Sequence, residues 1–182
     1  MKKLVYLSVV VFGMFLVFPT HSQAQNEFKV GGGLVYGSGI FDGSGVGDWQ
    51  NDIGITLDGF YIVNEQIRVG PGITYFFPKD ESGLTSNVWE LALNGNYIFY
   101  TEDEFDVYGI AGLAFTNVST DPDGASSTSE TVLGVDLGAG IEYGVDFGDL
   151  FGELKIANIG GSGDDFDLNS QLVLAVGARF AL

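Results

Sequence analysis

Thr131–Val145 reads TVLGVDLGAGIEYGV, and its alternation decides the fold. Every odd position from Leu133 on is apolar: Leu133, Val135, Leu137, Ala139, Ile141, Tyr143 and Val145. The even positions from Gly134 to Gly144 are glycine or carboxylate: Gly134, Asp136, Gly138, Gly140, Glu142 and Gly144. A period of two marks a β-strand with one face in an apolar medium. The apolar face is large and tipped by an aromatic ring, while the opposite face is minute or charged. A sheet facing water usually carries Lys, Thr and Glu instead of bare glycine. The stretch reads as a barrel strand with lipid outside and a cramped polar lumen inside.

The same period predicts seven further strands. Phe28–Gly37 sets Phe28, Val30, Leu34 and Tyr36 outward against Lys29, Gly31 and Gly33. Asn51–Val63 turns Ile53, Ile55, Leu57 and Tyr61 out, with Asp52, Gly54, Thr56 and Asp58 in. Ile67–Phe77 places Arg68, Gly70, Gly72 and Thr74 inside. Its Pro71 has no N–H for the ladder, so a bulge or a missing bond is expected there. Val88–Tyr100 sets Trp89, Leu91, Leu93, Tyr97 and Phe99 against Glu90, Ala92, Asn94 and Asn96. Phe105–Thr116 has Asp106, Tyr108 and Gly112 inside, and Leu150–Ile159 has Glu153 and Lys155 inside. Ser170–Leu182 closes the set with Gln171, Gly177 and Arg179 inward.

The first 24 of the 182 residues stand apart. Lys2 and Lys3 precede the apolar run Leu4–Phe18, and Ser22-Gln23-Ala24 is a small-x-small cleavage site. That is the pattern of a secretory signal peptide cut after Ala24, with residues 25–182 forming one barrel domain. The chain contains no cysteine, and its one histidine, His21, lies in the leader. Thiolate and imidazole chemistry are therefore absent from the mature chain, and no catalytic residue, cofactor or metal site is expected. Without the leader, five cations face 24 carboxylates, a net charge of −19. Nucleic acid would be repelled. The positive mean hydropathy excludes the disorder of an acidic tail.

Connection lengths alternate as well. Ser38–Gln50, Pro78–Asn87, Asn117–Glu130 and Gly160–Asn169 are long and polar, whereas Asn64–Gln66, Thr101–Glu104 and Asp146–Asp149 are tight. Aromatic residues gather at both ends of the strands, as two interfacial girdles would. From Gln25 to Leu182 the chain resembles the small eight-stranded outer-membrane β-barrels, the class of OmpA's barrel and OmpX, often labelled porin-like. The resemblance implies an up-and-down antiparallel barrel in a bacterial outer membrane with short turns to the periplasm. It also implies that barrels of this kind that are enzymes rely on an active-site histidine, which the mature chain lacks, so no enzyme activity is expected. The C-terminus Gly177-Ala178-Arg179-Phe180-Ala181-Leu182 is similar to the signal read by the barrel-assembly machinery, through Gly177, Phe180 and Leu182. It departs from that signal in ending on Leu and in carrying Ala175 where a polar residue is usual.

The lumen is where chemistry would reside. Lys29, Arg68, Lys155 and Arg179 share inward parity with Asp58, Asp106, Glu142 and Glu153, and a salt-bridged plug is expected because unpaired charge in a narrow barrel is costly. Asp52, Glu90 and Asp136 fall toward the long connections, near Lys155, and an electronegative vestibule open to the outside is expected there. In the third connection Asp121, Asp123, Gly124 and Glu130 match positions of a calcium-binding loop. Ser119 replaces the first ligand and Ser126 the apolar position, so an acidic loop is the expectation. Surface ligands or divalent cations are the partners such loops suit, with a monomer in the bilayer. The leading function is a structural scaffold presenting its loops. A narrow channel for small cationic solutes is the rival, and a soluble periplasmic ligand-binding barrel with apolar faces inward is a third reading.

Overall fold

A computed structural model describes residues 28–39, 52–81, 84–122, 128–162 and 170–182. The leader, Trp49, Asp123, Gly124 and the aspartates 164, 165 and 167 lie outside the described residues. Eight strands form a closed antiparallel barrel, each paired with its sequence neighbours and β1 with β8: β1 (Phe28–Gly39), β2 (Asp52–Asn64), β3 (Ile67–Glu81), β4 (Leu84–Glu102), β5 (Phe105–Pro122), β6 (Thr128–Val145), β7 (Gly148–Ser162) and β8 (Gln171–Ala181).

The faces lie as the alternation predicts. On β6, Leu133, Leu137, Ile141 and Tyr143 are exposed, while Gly134, Asp136, Gly140 and Glu142 are buried. Leu34 is 59% exposed and Leu93 57%. Apolar side chains of this size on the outer wall need lipid against them. That overturns the soluble barrel with its apolar faces inward. Tyr36, Phe77, Trp89 and Phe115 project outward toward the long-connection end, and Phe28, Tyr97, Phe99, Tyr143 and Phe180 toward the tight-turn end.

One feature differs from the sequence expectation. The second and third connections are mostly strand: β3 and β4 stay paired to Glu81–Leu84, and β5 and β6 to Thr120–Thr128. Lipid imposes apolar alternation only across the bilayer, whereas backbone pairing continues beyond it through Thr85, Thr116, Val118 and Thr131, residues suited to a pleated surface. The wall from β3 to β6 is therefore taller than the rest. At Pro71 the β2–β3 register omits Gly59–Pro71 and Phe60–Gly70 and resumes in phase, so pairing lapses without a bulge. The bulges fall elsewhere, two of them in β7, opposite Gly134–Asp136.

Tight turns close the other end. Asn64 Oδ1 accepts from the amides of Gln66 and Ile67 at 2.9 Å each, and Asp103 takes φ 50° in the β4–β5 turn. At that rim the Tyr100 hydroxyl donates to Glu102.

Candidate functional site: the charged lumen

Two clusters of charge fill the barrel. The lower one, toward the tight turns, is centred on Arg179 of β8. Its Nη2 lies 2.7 Å from Asp58 Oδ2 and 2.6 Å from Glu153 Oε1, and its Nη1 donates to Glu142 Oε2 at 3.1 Å and to the Tyr108 hydroxyl at 2.8 Å. The guanidinium carbon is 4.0 Å from the centre of the Phe151 ring and 5.0 Å from that of Phe60. Arg68 of β3 reaches both Glu142 oxygens, at 2.7 and 2.8 Å, and lies 4.7 Å from the centre of the Tyr108 ring. Lys29 bridges Glu142 and Asp149 at 2.6 and 2.7 Å. Planar, many-donor guanidinium groups suit such crowded carboxylates because one group can serve several acceptors, as Arg179 does, while the flat face packs on a ring. Arg68 uses only its Nη1, its Nε and Nη2 being buried without a partner.

Glycine makes room for these side chains. A Cβ on Gly140 would stand 2.5 Å from the Tyr108 ring, and one on Gly31 would stand 2.5 Å from Asp58 and 2.6 Å from Arg179. The small inward face of the opening stretch thus exists because long side chains of the two neighbouring strands, Tyr108 over its register partner Gly140 and Lys155 over Gly138, occupy its space.

The upper cluster belongs to Lys155 of β7. Its ammonium is 3.2 Å from Asp136 Oδ2 and 3.8 Å from Glu90 Oε1. The first bulge of β7 turns Asn158, at φ 59°, into the lumen. Its backbone N–H donates to Asp136 Oδ1 at 3.1 Å, and its side-chain oxygen accepts from the Thr116 hydroxyl at 2.7 Å.

Several placements correct the sequence reading. Asp106 stands beside Glu142 in register, yet its carboxylate accepts from the Thr101 hydroxyl at 2.7 Å, at the rim and outside the Arg179 cluster. Glu90 is 5% exposed and Asp136 0%, so they are enclosed with Lys155 and do not line an open vestibule. The side chain of Asp52 lies outside the described residues. Tyr108, Phe60, Phe151, Asn158 and Asp149 join the clusters as further members. Inward parity marks all of them except Asn158, which only the bulge brings inside. At the seam with β1, a Cβ on Gly177 would meet the Gly32 carbonyl at 2.2 Å. Phe180 faces outward, and the Leu182 amide donates to the Phe28 carbonyl at 2.8 Å. Among the described residues no group of three His, Cys, Asp or Glu is placed to hold a metal ion.

A family described as the outer membrane protein beta-barrel domain matches residues 10–180. The chain belongs to this family. It is a β-barrel of the bacterial outer membrane. Among solved structures it is similar to Ail, the attachment invasion locus protein of Yersinia pestis, at 15% identity and TM-score 0.63, over 87% of this chain and all of that one. Neisserial surface protein A is similar at 16% identity and TM-score 0.64, covering 88% of this chain and 99% of that one. The N-terminal barrel of OprF from Pseudomonas aeruginosa matches at 17% identity and TM-score 0.57, over 88% of this chain and all of that one. At these identities the likeness is one of fold. No curated protein matches the chain.

Proposed function

We propose that this protein is a non-conducting, non-enzymatic scaffold that holds its long connections and the tall β3–β6 wall at the cell surface. The observation that carries the reading is the pair of guanidinium groups across the lumen, Arg68 at 2% and Arg179 at 0% exposure, both tied to Glu142. An eight-stranded barrel is only wide enough for its own side chains, and here they meet across its middle. The cavity above them amounts to about 20 Å³, room for one water molecule.

In this reading the leader is removed after Ala24, the tight turns face the periplasm, and Gly177, Phe180 and Leu182 hand the chain to the barrel-assembly machinery. The monomer presents acidic connections to the outside. Asp42, Asp48, Asp80, Glu81, Asp121, Asp123, Asp164, Asp165 and Asp167 stand there against the single cation Lys79. Ail was solved in complex with a heparin analogue, sucrose octasulfate. The charge here opposes such a polyanion and suits cationic partners or divalent bridges to lipid phosphates. The test is conductance of the purified protein in a planar bilayer. The wild type is expected to be silent, and Arg68→Ala with Glu142→Ala to admit ions. Steady wild-type current that either substitution alters would establish the narrow channel instead.

A further inference from the structure

Four lumen cations meet five enclosed carboxyl groups, and the excess can be located. In the lower cluster Lys29, Arg68 and Arg179 are matched by Asp58, Glu142 and Glu153. Asp149, the further partner of Lys29, is 23% exposed at the rim and open to water. The upper cluster has one ammonium, Lys155, for both Glu90 and Asp136. Its surroundings bring no second cation. Beside Glu90 the register places Thr74 of β3 and Thr116 of β5. Toward the long connections the next inward residues of β3 and β4, Phe76 and Val88, pack into an apolar cluster with Val35 and Val173. Toward the tight turns the charged groups on the cavity wall are Asp58, Glu153 and Arg179, already tied to one another.

Two carboxylates that share one ammonium out of reach of water cannot both keep a negative charge cheaply. The carboxyl groups of Glu90 and Asp136 are also hydrogen-bonded to each other. An ionised carboxylate has no hydrogen to donate, so a bond between two of them needs a proton. The remaining donors decide which one carries it. Asp136 accepts from the Lys155 ammonium at 3.2 Å and from the Asn158 backbone N–H at 3.1 Å. Glu90 has Lys155 only at 3.8 Å, and the Thr116 hydroxyl, 3.3 Å away, also lies 2.7 Å from Asn158 Oδ1. A hydroxyl has one hydrogen, and the shorter contact claims it. Asp136 is thus furnished as an anion and Glu90 as an acid.

We propose that Glu90 is a carboxylic acid at neutral pH, donating to the Asp136 carboxylate, so that one buried proton completes the charge balance of the lumen. The upper cluster is then neutral, an acid, a carboxylate and an ammonium, and it closes without a bound ion. This holds whether or not the lumen conducts. The test is infrared spectroscopy of the protein at neutral pH in a detergent that has no carbonyl group. The wild type is expected to show the carbonyl stretch of a protonated carboxyl, separate from the carboxylate bands. Isotopic labelling of glutamate carboxyl carbons should move that band, labelling of aspartate should not, and Glu90→Gln should abolish it. Absence of the band, a shift with labelled aspartate alone, or a band that survives Glu90→Gln would overturn the assignment. Urea unfolding in lipid vesicles reads the same point through stability. Glutamine donates to Asp136 as the acid does, so Glu90→Gln should keep the wild-type midpoint. Glu142→Gln, which removes a true anion from between two guanidinium groups, should lower it by about 1–2 M. Equal losses in the two variants would make Glu90 an anion too and overturn the proposal. Should neither variant refold, the isotope shift in the wild type decides.

Discussion

Arg179 is 0% exposed and is shared among Asp58, Glu142, Glu153, Tyr108 and two aromatic faces. Its weight comes from what it leaves behind. Removing one partner of a buried ionic network strands the others, at about 3–5 kcal/mol, far more than the net value of any one pair. Arg179→Leu is therefore expected to lower unfolding stability in lipid vesicles by about that amount, measured from urea or guanidinium midpoints. Arg179→Lys keeps the charge but loses the fork and the stacked plane, and should fall between the two. A loss under 1 kcal/mol for the leucine variant would mean that the carboxylates rehydrate and that the lumen is wetter than the contacts show. Adding Glu142→Gln to Arg179→Leu should recover part of the loss, because it removes one of the stranded charges.

At the level of the strand, lipid made the outward faces readable. Leu133 through Tyr143 could not alternate with glycine and carboxylate for any other reason, and the tight turns at 65–66, 103–104 and 146–147 fall where the alternation breaks. The inward face was legible in parity but not in partnership. Asp106 has the right parity and still bonds Thr101, because parity does not say how far a side chain reaches or which wall it meets. Asp149 lies on the inward parity of β7 one residue before Leu150, so its pairing with Lys29 had a signal in the sequence. The β7 bulge had little beyond Asn158 and the Gly160-Gly161 pair, since a register shift changes no composition. That bulge is testable through its backbone. Asn158 sits at φ 59°, where a residue with a Cβ and no local hydrogen bond loses about 1–2 kcal/mol. Asn158→Ala adds the loss of the Thr116 bond, so about 2–3 kcal/mol is expected from urea unfolding. Asn158→Gly keeps the conformation and should cost less than alanine. Equal losses in the two variants would show that the side-chain bond, which both remove, and not the backbone, holds the bulge.

For the whole barrel, position along the membrane normal should govern the cost of a charge on its outer face. Leu93, 57% exposed, stands midway along β4 between Trp89 and Tyr97, which project from the same face toward opposite girdles. Phe147, 65% exposed, occupies the β6–β7 turn, its ring 6.5 Å from that of Phe180. Both are large, apolar and outward, so a soluble protein would treat them alike. In a bilayer they differ: a charge at the midplane costs about 2–4 kcal/mol, while one near the interface costs about 0–1 because its head reaches water. Leu93→Arg should therefore destabilise the barrel in phosphatidylcholine vesicles by several times as much as Phe147→Arg, measured by urea unfolding. In detergent micelles, which deform around the charge, the gap should narrow. Equal costs in vesicles would place Leu93 away from the hydrocarbon centre. The bilayer would then cross the tall β3–β6 wall at another height, and the girdles would need to be redrawn around it.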